Sequence, residues 1–219
     1  MSGRPLSIPT WKRLWTGIMG ALIVSLAFFP IYIGGSMSTG ILGHRLHLYA
    51  AFELALPFWP AMIIAYLSMF ALFLLPAFQL DESELWALVR RLVVASILGG
   101  LVFLVLPSEV GFAEHTGAGR WQPLFDMIYA VDGRANAAPS FHVIYTSSIL
   151  LALMDVAAPK LRMLYALWLV VVCASTVLTH RHHLLDVASG LTIALAVRRL
   201  SLRRPATSSR SSSCIGVTQ

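Results

Sequence analysis

Apolar positions come in long uninterrupted blocks rather than in the short alternations of a soluble fold. Six runs stand out, near 15–34, 55–78, 86–106, 139–157, 161–178 and 183–200. Each is close to the roughly 20 residues that a bilayer core demands of a helix. The breaks between them carry turn or charge signals: Gly34-Gly35-Ser36, Asp81-Glu82-Ser83-Glu84 and Ala158-Pro159-Lys160. The first run has no small-residue cleavage site after a short core, so it reads as a retained span and not a signal peptide. Pro57 and Pro60 predict a kink or a late helix start in the second run. The pattern predicts an all-α fold, a polytopic membrane helix bundle with six transmembrane spans. One domain is expected over 1–200, and a disordered cytoplasmic tail over 201–219. No internal repeat is visible.

Composition agrees with this class. Of 219 residues, 58% are hydrophobic and 12% charged, with a mean hydropathy of +0.76. A soluble domain carries about 25% charged residues. The net charge of +6 comes from short flanks and not from a basic face, so no nucleic-acid partner is expected. Cys173 lies in an apolar run and Cys214 in the polar tail, which implies no disulfide framework.

Basic residues orient the bundle. With both termini inside, the inner side holds Arg4, Lys12, Arg13, Arg90, Arg91, Lys160, Arg162, Arg198, Arg199, Arg203, Arg204 and Arg210. The outer side holds Arg45, Arg120, Arg134 and Arg181. That is 12 against 4 of the 16 Lys and Arg. All seven histidines (His44, His47, His115, His142, His180, His182 and His183) fall on the outer side, which marks that face as the chemical one. The longest outer segment, 107–138, contains Gly111, Gly117, Gly119 and Gly133, and reads as a partial lid over a site. The Arg pairs of the tail suit anionic lipid at the inner leaflet.

Two imidazole-bearing clusters sit at the edges of apolar runs and suggest phosphoryl chemistry at a membrane surface. In the first, His182 and Asp186 are four residues apart. If the last helix begins near His182, they share one helix face. The carboxylate then fixes the imidazole tautomer and leaves the other ring nitrogen as a nucleophile. The alternative is an ion pair at a helix end. The second cluster is Pro139-Ser140-Phe141-His142, with Pro139 in the first turn of the fourth span. A helix N-terminus suits a phosphate, Ser140 adds a hydroxyl donor, and His142 can give and take a proton. The alternative is a cap beside an interfacial histidine.

Ser175, His182 and Asp186, following Pro139-Ser140-x-His142, resemble the type 2 phosphatidic acid phosphatase superfamily over about 86–200. The resemblance implies six spans and a metal-free, cofactor-free enzyme. It implies His182 as the nucleophile that forms a phosphohistidine, Asp186 as its orienting partner and His142 as the general acid. Departures are equally informative. The first motif of that family has a Lys and, seven residues on, Arg-Pro, whereas the only lysines here are Lys12 and Lys160 on the predicted inner side. The third motif opens Ser175-Thr176 instead of Ser-Arg, and Phe141 replaces a Gly in the second. Candidate replacements for the missing phosphate-binding cations are Arg181, Arg134 and Arg120, with Arg181 favoured because an Arg fork suits phosphate oxygens. Arg181 read alone is equally an interfacial anchor.

The same departures resemble the inositolphosphotransferase-like branch that includes inositol phosphorylceramide synthases. The expectation is a lipid phosphatase or phospho-headgroup transferase in a plasma or inner membrane, acting on a lipid phosphate or phospholipid at the extracytoplasmic face. The competing readings are transfer to a lipid hydroxyl instead of water, a metal-dependent hydrolase or transporter using the histidines, and a non-catalytic membrane protein that retains the fold.

Overall fold

The computed structural model describes residues 3–37, 42–132 and 134–202. Among them are seven α-helices and no strand: α1 (Trp11–Met37), α2 (Ile63–Leu72), α3 (Glu82–Val105), α4 (Gln122–Val131), α5 (Phe141–Val156), α6 (Pro159–Leu178) and α7 (Leu184–Leu202). The fold is all-helical. Of the expected tail, 201 and 202 continue α7 and the rest lies outside the described residues.

Local chemistry explains where the helices start. The acidic run at 81–84 is a capping box. Asp81 accepts the Glu84 N–H at 3.1 Å, and the Glu84 carboxylate accepts the Asp81 N–H at 2.9 Å. This satisfies two N–H groups that would otherwise lack partners at the start of α3. Arg4 and Lys12 then pair with Glu84 at 2.6 Å and Glu82 at 2.7 Å. The second apolar run starts late, with a 3-10 turn at Pro60–Met62 leading into α2. Proline is tolerated there because a helix start has no N–H bond to lose.

Among the described residues, three helices (α1, α3 and α6) are long and apolar enough to cross a membrane. Only 11% of the apolar stretch of α1 is buried within the chain. Its Trp15, Leu26 and Ile33 face outward, as do Leu101 of α3 and Leu167 of α6. An apolar surface of this extent is the inverse of a soluble domain and fits hydrocarbon. The Pro60–Leu72 and Phe141–Val156 helices are apolar but shorter. At about 1.5 Å per residue they reach roughly 20 and 24 Å. Helix α7 carries Asp186 in its first turn and Arg199 in its last.

Helix α5 is the central post. It packs on α6, α7, α3 and α2, and Ile144, Ile149, Leu150 and Leu153 are fully buried. Burial on all sides is why its sequence is apolar without a polar face. Polar pins fix its neighbours: Ser96 and Tyr145 hydroxyls meet at 2.7 Å between α3 and α5, and Trp168 donates to Ser68 at 3.1 Å between α6 and α2. Helix α1 packs along α3, whereas α2 packs on α5 and α6.

The polar ends of the bundle differ. One gathers Arg4, Asp81, Glu84 and the Asp155–Arg198 ion pair. The other gathers 42–62, 107–138 and the α6–α7 turn. There Leu46 donates to the Pro107 carbonyl at 2.7 Å and Val110 to the Arg134 carbonyl at 2.9 Å. Phe125 and Ile128 of α4 pack with Ile63 and Tyr66. The segment expected as a lid is therefore an ordered cap with a helix of its own.

Helix α7 reaches this end pressed against the start of α5. A Cβ placed on Gly190 would lie 2.7 Å from the Ser140 carbonyl oxygen, while one on Gly34 meets nothing. Gly190→Ala is therefore expected to lower stability by about 1–3 kcal/mol, the usual cost of overpacking. Thermal unfolding in detergent, with Gly34→Ala as the reference, measures this.

Candidate active site

The turn from α6 to α7 is built from backbone bonds that bend the chain sharply. Thr179 N–H donates to the Ser175 carbonyl at 2.9 Å, and Arg181 and His182 both donate to the Thr176 carbonyl, at 3.1 and 3.0 Å. His180 sits in the left-handed region at φ 58. Ser175 and Thr176 are buried, with hydroxyls bonded to the Val172 and Cys173 carbonyls, so they shape the end of α6. Helix α7 begins at Leu184, two residues past His182, so His182 lies just outside it. His182 and Asp186 therefore do not share a helix face. Asp186 instead folds back over the helix start and accepts the His183 N–H at 2.8 Å. Its carboxylate lies 3.5 Å from His182 Nδ1, and the Ala137 carbonyl is nearer, at 3.1 Å. A carbonyl only accepts, so Nδ1 carries a proton, and in the neutral ring Nε2 is then the nitrogen with the free lone pair.

The second helix also starts later than expected: Pro139 is not in its first turn, because α5 begins at Phe141 with Ser140 as its cap, and the Ser140 Oγ accepts the Val143 N–H at 3.4 Å. Pro139 lies outside the helix. The two clusters are joined directly, because Ser140 N–H donates to the Asp186 carbonyl at 3.0 Å. His142 stacks on Tyr66 with centroids 3.9 Å apart, and its Nε2 is buried without a partner. The His142 and His182 ring centroids are 6.0 Å apart, about two hydrogen-bond reaches.

Both imidazoles line a cavity of about 530 Å³, within the usual size for a small-molecule site. Arg181, Asp132, Asn136 and Tyr32 complete its polar end. Its other lining is apolar and includes Phe28 and Phe29 of α1, Phe70 of α2 and Phe73 just past the end of α2. Phe29 and Phe70 are exposed although they line it.

Arg181 is only 3% exposed. Its guanidinium lies 3.2 Å from the Asp132 carboxylate, donates to the Asp132 carbonyl, and sits over the Tyr129 ring. Asp132 also accepts the Tyr32 and Tyr66 hydroxyls. Burial raises the Asp132 pKa, but Arg181 and the Tyr32 hydroxyl outweigh it and hold the carboxyl below its ordinary range. Of the other expected phosphate-binding groups, Ser140 is spent on its cap. Arg134 is exposed and gives Nε and Nη2 to the Val110 carbonyl at 3.3 and 2.8 Å, and it does not line the cavity. Arg120 stacks on Trp121.

Two carboxylates escaped the sequence reading. Asp132 is a single acid in a loop, and its partners are distant in sequence. Glu53 is 4% exposed and accepts the Ala50 N–H at 2.9 Å and the Leu184 N–H at 2.7 Å. It also faces His183 Nδ1 at 3.4 Å. Three further histidines form a stacked column: His183 on Tyr49 and Phe112, His180 on Phe112, and His115 on Phe58. Within it, His115 and His180 bond at 2.8 Å and His180 Nε2 donates to the Leu56 carbonyl at 3.0 Å. Gly111 N–H donates to His183 Nε2 at 3.0 Å. Among the described residues no three His, Cys, Asp or Glu side chains form a metal-binding group.

A family model described as PAP2 superfamily matches residues 47–200. The chain belongs to that superfamily, the type 2 phosphatidic acid phosphatases, and membership points to a membrane enzyme of phosphatase or phosphotransferase type. No curated protein matches the chain.

Burial pushes the pKa of His115, His180 and His183 below 6.5, and for His183 the carboxylates of Asp186 and Glu53 only partly offset it. The unfolded chain therefore takes up protons first as pH falls, and the stability these groups contribute is present above about pH 6.5 and lost below it. Thermal midpoints should drop between pH 6.5 and 5, and His183→Gln should flatten part of that slope. A midpoint that holds constant down to pH 5 would contradict this.

Proposed function

We propose that the chain is an integral membrane lipid phosphatase or phospho-headgroup transferase acting on a lipid phosphate ester at the extracytoplasmic face through a phosphohistidine intermediate. One observation carries this reading: His182, His142 and Arg181 line one cavity whose remaining lining is largely apolar and includes side chains of α1 and α2. A phosphate ester with a hydrocarbon tail fits both halves. His182 Nε2 attacks phosphorus, and the bond from phosphorus to the leaving alcohol oxygen breaks. His142 gives that oxygen its proton. In the second half, water or a hydroxyl gives its proton to His142 and attacks the same phosphorus, which releases His182. The Ala137 carbonyl and Asp186 hold the His182 tautomer throughout, and Arg181 compensates charge on the phosphoryl oxygens. Nothing in these steps calls on a metal or cofactor.

The acceptor distinguishes a phosphatase from an inositolphosphotransferase-type enzyme, and both use the same three residues. The accompanying topology is six spans, with α2 extended through Leu75–Phe78 and with α5 and α7 spanning beside α1, α3 and α6. Both termini are cytoplasmic, as the 12-to-4 basic bias supports.

His182→Ala should abolish turnover and His142→Ala nearly abolish it, with the fold intact by thermal unfolding. Asp186→Asn should leave a weak residual rate, because the Ala137 carbonyl is the nearer partner of Nδ1; an orienting aspartate in serine proteases contributes about 10⁴. Arg181→Ala should lower turnover by roughly 10²-fold or more, and Lys should not rescue it, since a point charge lacks the two-pronged fork. Full activity in His182→Ala would end the phosphohistidine reading.

For topology, a cysteine at exposed Thr116 should react with an impermeant reagent in intact cells. Labelling only after lysis would move the site to the cytoplasmic side.

A further inference from the structure

We infer that Asp132 is a specificity residue that selects phosphodiester lipids, which carry a single negative charge, over phosphomonoester lipids. The inference rests on the reading of this cavity as the site of phosphoryl transfer. Among the described residues, four arginines lie at this end of the bundle, and Arg181 is the one that lines the cavity. Its charge is already matched. The Asp132 carboxylate lies 3.2 Å away and lines the same cavity.

Around the two imidazoles, the Arg181 cation and the Asp132 anion cancel. A phosphomonoester near neutral pH carries about −1.5 to −2, with a second pKa near 6. A phosphodiester carries one negative charge at every pH of interest. The monoester brings a second charge into a largely buried space beside a fixed carboxylate, with no further cation on the wall. Uncompensated charge in such a place is costly, and like charges facing each other suppress the wrong partner more than they weaken the right one.

The wall around Asp132 also suits what a diester brings and a monoester lacks. Asp132 lines this wall, its side chain is a quarter exposed, and its carboxylate is an acceptor. A hydroxyl group on the second alcohol would donate to it. Asp132 touches neither His182 nor a leaving oxygen in the proposed steps. Its part is to set the charge that the site accepts.

The test compares two lipids with one shared leaving group. Full-length protein in detergent is given phosphatidate or phosphatidylinositol with identical acyl chains, and diacylglycerol is measured. In both cases the bond from phosphorus to the diacylglycerol oxygen breaks, and the phosphoryl or phospho-inositol group passes through His182 to water or a hydroxyl. The wild type should show a monoester-to-diester ratio of kcat/KM of about 0.1 or lower, tenfold for each 1.4 kcal/mol of discrimination. Asp132→Asn should raise that ratio by about tenfold or more, and Asp132→Glu should leave it low. Because the ratio is taken within one preparation, partial unfolding cancels. If Asp132→Asn is inactive on both lipids, the wild-type ratio decides: it should climb as pH falls through about 6, where the monoester becomes a monoanion. A wild type that prefers phosphatidate, a ratio unmoved by Asp132→Asn, or a ratio flat with pH where that variant is inactive overturns the inference. Each of these leaves the catalytic reading standing so long as His182→Ala is inactive on both lipids. Turnover surviving in His182→Ala would instead bring down the reading on which the inference rests.

Discussion

The organisation of the polar end depends on how the first N–H groups of α7 are satisfied. A helix start has four such groups without partners inside the helix, and beside hydrocarbon there is little water to take their place. Here two carboxylates from different parts of the chain do it. Asp186 takes the His183 N–H, and Glu53, 131 residues upstream, takes that of Leu184. The Asp186 carbonyl in turn accepts the N–H of Ser140. One helix terminus thus ties together the 50–56 segment, the start of α5 and the α6–α7 turn. His142, His182 and Arg181 do not need separate anchoring, because each sits on a segment that this terminus already holds.

What the sequence reveals and what it hides follow from the same geometry. The helical class is legible because apolar runs of this length have few other solutions. The two imidazole clusters are legible because each breaks an apolar run on the side poor in basic residues. The spacing from His182 to Asp186 is more ambiguous. Four residues suit a shared helix face, and they equally suit a side chain that folds back to cap a helix beginning at Leu184. Only the competition for backbone N–H groups decides between them, and Glu53 takes part in that competition from far away. Asp132 and Glu53 escape for this reason: each is one carboxylate in an unremarkable loop until the chain is folded. Helix lengths show the same limit. Pro60 and Ser140 set where regular bonding begins, and hydropathy alone runs on past both points.

The Arg181–Asp132 pair is weakly explained by stability. Buried ion pairs often contribute little beyond what apolar residues of the same volume would, because desolvation offsets attraction. Tyr32 and Tyr66 add hydroxyls to Asp132, and Tyr129 underlies the guanidinium, so the pair is held in one geometry. On the proposed reading, a cation fixed beside two imidazoles would already be oriented when negative charge develops, with no reorganisation needed at that moment. The superfamily's usual lysine and arginines are missing from the expected positions. A single oriented arginine whose charge is balanced by a carboxylate is a different electrostatic solution, and it suits a substrate with less charge to compensate.

The apolar wall completes the argument for an amphiphile. A small water-soluble ester would fill the polar end and leave the apolar wall of Phe28, Phe29, Phe70 and Phe73 without a partner in the substrate. On the proposed reading a lipid tail would cover that wall, whose two sides are held by different partners, α1 by α3 and α2 by α5 and α6. Whether the acceptor is then water or a hydroxyl is a matter of which can reach His142 while the phosphoryl group is on His182.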